Sequence, residues 1–389
     1  MAITPTILTG DAATAATQGI LANRRKVDMR DKIFLLEPSA TPLTVLLNKM
    51  GRGVAKSPRH EWLEAAATPT VDTLTATYTA AEVTIAPANP TYFPINSVFR
   101  HQSTGEVALV TANNGTTMTV TRGYGGTSAA IWATGSSVTI LGGAAREGAT
   151  AETSRMAKKV RQYNFTQIFR DPFGGSATLQ ASDLYGGEFL AEETLERGIE
   201  HAKYIELAMF FGERNADSSV AGTWDDEATP RRTMGGIDEF ISTNTTNFGG
   251  NGATLLEIYD WAASVFRYGS DTRFWFMAML ESSGLSNLAT SSLEVVPTDK
   301  SFGINISRLI TPHGVFNVVA HKLFEGDTYS TYGYALDMKY LEYVYLQGRD
   351  TKLYTNIQTN DTDGQKNEYL TECTLLRQFE EAHGRSIGI

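Results

Sequence analysis

The spacing of apolar and polar positions changes several times along the chain, and each change marks an element. Thr41 stands as an N-cap before Pro42, and Leu43, Leu46, Leu47 and Met50 then fall on one face, which predicts a short amphipathic helix. From residue 68 to 143 the period shortens to two and the composition turns to Thr, Val, Ala and Gly, so this stretch is expected to be β-rich. Residues 106–111 and 117–121 read as two strands joined at Asn113-Asn114-Gly115, a turn that tolerates positive φ, and residues 137–141 read as a third strand. Between about 186 and 212 the spacing lengthens again. Leu195, Ile199, Ala202, Ile205 and Met209 recur at three and four residues, opposite a face carrying Glu188, Glu192, Glu193, Glu196, Glu200 and Glu206. A long helix with one acidic side is expected.

After a polar loop over 215–232, an α/β pattern begins at Met234. Leu255, Leu256, Tyr259, Ala262, Ala263 and Phe266 mark a helix, 273–278 a strand, and 280–291 a second helix weakened by Gly284. Residues 293–296 read as a short strand, and 304–311 with 315–320 as a hairpin around Pro312-His313-Gly314. The tail adds strands over 340–346, 352–359 and 369–377, the last two joined by a turn at Asp361-Thr362-Asp363-Gly364. No internal repeat is present.

A chain of 389 residues that is 42% hydrophobic can bury a sizeable core and has room for two or three domains. Its formal charge of -10 argues against a protein that grips nucleic acid through the phosphates, which takes clustered Lys and Arg. One cysteine, Cys373, leaves no intrachain disulfide. Residues 1–23 lack the charged and apolar regions of a signal peptide and read as an arm ordered on a partner, and no apolar run is long enough to span a bilayer, so a soluble product with no membrane contact is expected. The basic run Arg24, Arg25, Lys26, Arg30 and Lys32 reads either as a solvated face or as a contact with an acidic neighbour. A second run, Arg155, Lys158, Lys159, Arg161 and Arg170, has no acidic residue among it. Its sign is opposite to that of the long helix, which motivates an intersubunit contact of Arg155, Lys158, Lys159 and Arg161 with Glu192, Glu193, Glu196 and Glu200.

Candidate chemistry is sparse. The histidines at 60, 101, 201, 313, 321 and 383 are scattered singly, without metal-ligand spacing. Asp361-Thr362-Asp363-Gly364 faintly resembles a calcium loop, but Thr359 and Leu370 stand where carboxylates belong. Asp225-Asp226-Glu227 is expected to be solvated, not catalytic, and Arg122-Gly123-Tyr124-Gly125-Gly126-Thr127 lacks the ending of a phosphate-cradling loop. There is no Gly-x-Ser-x-Gly nucleophile elbow, and Cys373 has no nearby His, so a packed thiol is expected. These readings favour a structural or binding protein over an enzyme, with no metal or cofactor.

The order of elements resembles that of a tailed-bacteriophage major capsid protein, specifically the SU-ten-like major head protein family. The resemblance is carried by residues 25–50 with their Leu-Glu-Pro-x-x-Thr-Pro-Leu core, by Arg122-Gly-Tyr-Gly-Gly-Thr, by Asn164-Phe-Thr-Gln-Ile-Phe, by Val295-Val-Pro-Thr-Asp-Lys through Gly303, and by 350–357 and 368–389. It implies an α+β fold of the Hong Kong 97 type. Carried onto this chain, that means an N-terminal arm over 1–60 and an extended loop over 61–175 with a small inserted β-domain at about 86–145. A peripheral domain would take 176–233 and 336–389 with a spine helix at about 186–212, and an axial domain 234–335. The implied function is self-assembly through pentamers and hexamers into an icosahedral, DNA-filled head, put together in the bacterial cytoplasm and found in the virion. The implied partners are sister copies, separate scaffolding and portal proteins, possible decoration proteins, and packaged DNA touched only non-specifically. The competing readings are a cellular encapsulin-type nanocompartment and, from another class, a β-rich carbohydrate-binding or hydrolytic protein.

Overall fold

The computed structural model describes residues 41–65, 67, 69–148, 159–182, 188–217, 230–250, 253–288, 293–294 and 306–389. The arm over 1–40 with its basic run, Asp225-Asp226-Glu227 and the segment 295–303 lie outside the described residues. The chain divides into two compact units, residues 63–161 and the remainder. Mixed helices and strands make it α+β, as expected.

The 63–161 unit is a six-stranded antiparallel sheet in the order Val71–Thr73, Ser137–Gly143, Ser97–His101, Val107–Asn113, Met118–Thr121, Thr84–Ile85. The predicted turn closes where Asn114 N donates to Thr117 O at 3.1 Å, and Gly115 takes a φ of 88°. Phe93, Phe99, Met118, Trp132 and Val138 form its core. The strand Ser97–His101 escapes the periodicity argument because two of its buried positions, Ser97 and His101, are polar.

Arg122 explains the glycine-rich motif that follows it. Its guanidinium meets buried Glu106 with Nε–Oε1 and Nη2–Oε2 both at 2.8 Å, and lies 3.8 Å over the Trp132 ring. The amides of Gly123 and Ala130 donate to the same carboxylate at 3.0 and 2.9 Å, so a tight glycine turn is needed to bring them there. Burial raises the Glu106 pKa, but Arg122 and the two amides outweigh it and hold the carboxyl below its ordinary range. The motif is a structural clamp.

In the remainder, a five-stranded sheet runs Arg52–Ala55, Leu341–Leu346, Gly364–Arg377, Gln167–Ser176, with Lys352–Tyr354 also on Gly364–Arg377. The strand predicted over 352–359 stops at Tyr354, and the one predicted from 369 begins at Gly364. A seven-stranded sheet runs Thr245–Asn247, Gly384–Ile387, Tyr332–Leu336, Thr272–Ala278, Gly314–His321, Ile306–Thr311, Leu293–Glu294. Residues 384–387 therefore pair with the strands of 234–335 and not with the tail strands that precede them.

Thr272–Ala278 is buried on both faces, as a central strand of a covered sheet should be. Phe276 and Ala278 join a core shared with the five-stranded sheet and with Leu43, Leu47, Met209 and Phe210, while Trp275 and Met277 face Ile258, Trp261, Ala262 and Val265 of the helix Leu255–Val265. That helix thus buries a different stripe from the one predicted: Leu256 is exposed, because Trp261 stacks on Phe316 and sets the rotation. The next helix spans Met279–Leu288, and a Cβ on its Gly284 would stand 2.9 Å from the Ile389 carbonyl oxygen. Gly284 lets the chain end approach.

Candidate assembly surface

The helix Phe189–Phe211 is the longest of the described elements, and its second half is tied to its own chain. His201 binds Asp171 through Nδ1 and Thr371 Oγ1 through Nε2 at 2.7 Å, both on the five-stranded sheet. Ile205, Met209 and Phe210 enter the shared core.

Glu206, assigned from its spacing to the acidic face, is instead fully buried. Its Oε1 accepts from Leu43 N and its Oε2 from Thr44 N, each at 2.8 Å, and Thr44 Oγ1 also donates to Oε2. His321 Nε2 sits 3.0 Å from Oε1. A carboxylate from 163 residues beyond Leu43 thus satisfies the free amides of the helix Pro42–Met50, with charge matched to the positive end of its dipole. Thr41, expected to do this, makes no side-chain cap bond.

The first half of the long helix is held less. Tyr369 donates to Thr194 O at 3.1 Å and lies against Gly198, where a Cβ would come within 3.2 Å of its hydroxyl. Leu195, predicted on the buried stripe, is 68% exposed, a correction that follows from His201 and Tyr369 fixing the helix rotation. Glu192, Glu193, Glu196 and Glu200 share one half-buried surface. Arg197 pairs with Glu193 at 3.3 Å and with Glu200, so one positive charge is shared between two of the four acids on the helix itself. Glu192 and Glu196 have no ion pair among the described residues.

Of the basic residues, Arg155 and Lys158 lie outside the described residues. Lys159 and Arg161 are exposed, and Lys159 has no ion pair among the described residues. Arg170 finds its counterpart in its own chain, meeting Glu368 at 2.7 Å. The motif that begins at Asn164 is structural: Asn164 Nδ2 donates to Gly235 O and Leu375 O at 3.0 and 2.8 Å, its Oδ1 accepts from Gly235 N at 2.8 Å, and Thr166 donates to Glu372 at 2.8 Å.

Buried histidines serve packing. His101 stacks on Trp132 and bonds Thr104 and Ser136, and buried His383 accepts from Asp337 N while its Nε2 faces Gln378 O at 3.2 Å. Burial pushes the His383 pKa down to about 4. Cys373 is fully buried, which pushes its thiol up to about 12, the state expected of a packed thiol. No group of three or more His, Cys, Asp or Glu positioned for a metal occurs among the described residues. None of the described helices is long and apolar enough to cross a membrane.

Residues 8–389 match the family model of the SU10 major capsid protein. The major capsid protein of Pseudomonas phage PaMx41 is 25% identical over 328 residues, covering 81% of this chain and 77% of that protein. A solved structure from Microbacterium phage Oxtober96 superposes with a TM-score of 0.49 at 11% identity, covering 95% of this chain and 97% of that one. The holo-SrpI encapsulin complex of Synechococcus elongatus PCC 7942 gives 0.44 at 8% identity, over 60% of this chain and 78% of that one. Since the family match takes in nearly the whole chain, the protein belongs to the SU10 major capsid protein family.

Proposed function

We propose that this chain is a non-enzymatic shell subunit whose copies close, through pentamers and hexamers, into the icosahedral head around the DNA of a tailed phage. The family match over residues 8–389 carries this reading. In its Hong Kong 97-type form, residues 1–60 act as the arm, 61–175 as the extended loop with its β-domain, 176–233 and 336–389 as the peripheral domain except for the strand Gly384–Ile387, and 234–335 as the axial domain, whose sheet that strand joins. Scaffolding, portal and decoration functions fall to other proteins, assembly takes place in the host cytoplasm, and the product resides in the virion. Many weak contacts spread over such extensions sum by multivalency, so no single pair needs to be strong.

The charge contact belongs to the same reading. Lys159 and Arg161, with Arg155 and Lys158, meet Glu192 and Glu196 on a neighbour's helix, next to Glu193 and Glu200, which Arg197 already shares. The exposed position of Lys159 and Arg161, and the lack of an ion pair at Glu192 and Glu196 among the described residues, support it. Electron microscopy of the purified protein should reveal closed shells of uniform size. With Arg155, Lys158, Lys159 and Arg161 all changed to Glu, soluble subunits should remain and shells disappear. Normal shells from that variant reject the charge contact, and monomers under all assembly conditions from the unaltered chain reject the shell reading.

A further inference from the structure

Glu281 is the one acid of the helix Met279–Leu288, and it is only 2% exposed. Its Oε1 accepts from Ile389 N at 2.9 Å, and its Oε2 is buried with no hydrogen-bond partner. That arrangement differs from those of buried Glu106 and Glu206, which have Arg122 or several donors around them. An ionised carboxylate held only by main-chain amides of residues 388–389, with no charged partner, is costly to bury, and the cost is removed either by a proton or by letting water in.

Among the described residues no charged side chain acts on Glu281. From the strand Thr272–Ala278, Arg273 is committed to Asp337 at 2.9 Å; from Gly314–His321, His321 is committed to Glu206 at 3.0 Å. From the C-terminal strand Gly384–Ile387, Arg385 pairs with Asp238 at 2.7 Å. Among the described residues Glu281 is held by the main chain of residues 388–389. Gly388 and Ile387 continue from it into the seven-stranded sheet, where Gly388 N donates to Thr331 O and Phe248 N donates to Ile387 O.

We propose that Glu281 is a proton-operated latch on the C-terminal strand: protonated, it holds residues 388–389 against the helix Met279–Leu288, and ionised, it draws in water and loosens them. Burial raises its pKa to about 7, against the opposing effect of the Ile389 and Gly388 amides, so the latch operates around neutral pH. An acid with a raised folded pKa binds more protons closed than open. Closure is accordingly favoured below its ordinary pKa of 4.5 and progressively lost as pH rises through about 7.

Hydrogen exchange of the full-length chain, corrected for intrinsic rates, tests this at pH 5.5 and 8.5. The opening equilibrium of residues 384–389 should rise by roughly ten- to a hundredfold between the two pH values, following the proton linkage. Glu281→Gln should flatten that response, and Glu281→Leu, which fills the space without a polar atom, should do the same if the buried amide disturbs folding. The idea is overturned if the unaltered chain opens equally at both pH values, or if both variants keep its pH response. Neither outcome depends on shells forming, so the shell reading stands or falls separately.

Discussion

The two halves of the helix Phe189–Phe211 share one backbone and sit in opposite environments. The second half is fastened by His201, Ile205, Glu206, Met209 and Phe210 to both sheets and to the helix Pro42–Met50. The first half presents Leu195 to solvent and carries two acids with no ion pair among the described residues. Twenty-three residues make a rod of about 35 Å, too long for this core to cover along its length. The difference separates what holds one subunit together from what is left for a neighbour, and changes in the two halves should fail in different ways.

The largest effect is expected at Glu206. Glu206→Ala strands Leu43 N, Thr44 N and His321 in the interior, and should lower subunit stability by about 3–5 kcal/mol, read as a shift in the urea midpoint. A smaller loss should appear with pH in the same interior. His383 is buried and neutral with its pKa near 4, so the unfolded chain binds the extra proton between about 4 and 6.5, and stability rises with pH across that window. Glu281 works in the opposite direction over much of the same range, so the effect is cleanest in Glu281→Gln. That variant should lose up to about 3 kcal/mol on going from pH 6.5 to 4, and a stability that is flat there would contradict the assignment.

His201→Ala removes bonds to Asp171 and Thr371 at the junction between the halves, for about 1–3 kcal/mol by the same denaturation measurement. Smallest in stability is Leu195→Asp, expected within about 0.5 kcal/mol because the side chain is already in water. Its cost should appear in assembly, as a lower yield of closed shells by electron microscopy. If Leu195→Asp unfolds the subunit, or if Glu206→Ala leaves stability intact, the distinction between the halves fails.

Periodicity was enough to place the long helix, the 306–321 hairpin and the β-rich stretch, because each has a repeating apolar pattern of its own. It misplaced Glu206 and Leu195 for a single reason. A helical wheel counts an acid as outward-facing, while the donors that make Glu206 an inward residue come from Leu43, Thr44 and His321, distant in sequence. Arg122 and Asn164 stood inside motifs that could be quoted but not explained, since their partners Glu106 and Gly235 lie in other elements. A signal was nonetheless present: an arginine and an acid inside strongly β-patterned segments have to be compensated, and Glu106 is the acid at the start of the strand paired with the one that Arg122 follows. The opposite signs of 155–161 and of the helix are legible in sequence because like charges run together there, but the contact proposed between them would join two copies, and one chain cannot display it.

Hydrogen exchange along the helix Phe189–Phe211, compared between free subunits and assembled shells, tests the division most directly. Amides of 201–211 should be protected in both states, whereas those of 190–198 should exchange quickly in the subunit and gain protection on assembly. Equal protection of both halves in the free subunit, or no change over 190–198 in the shell, would contradict the claim that a neighbouring copy completes the first half.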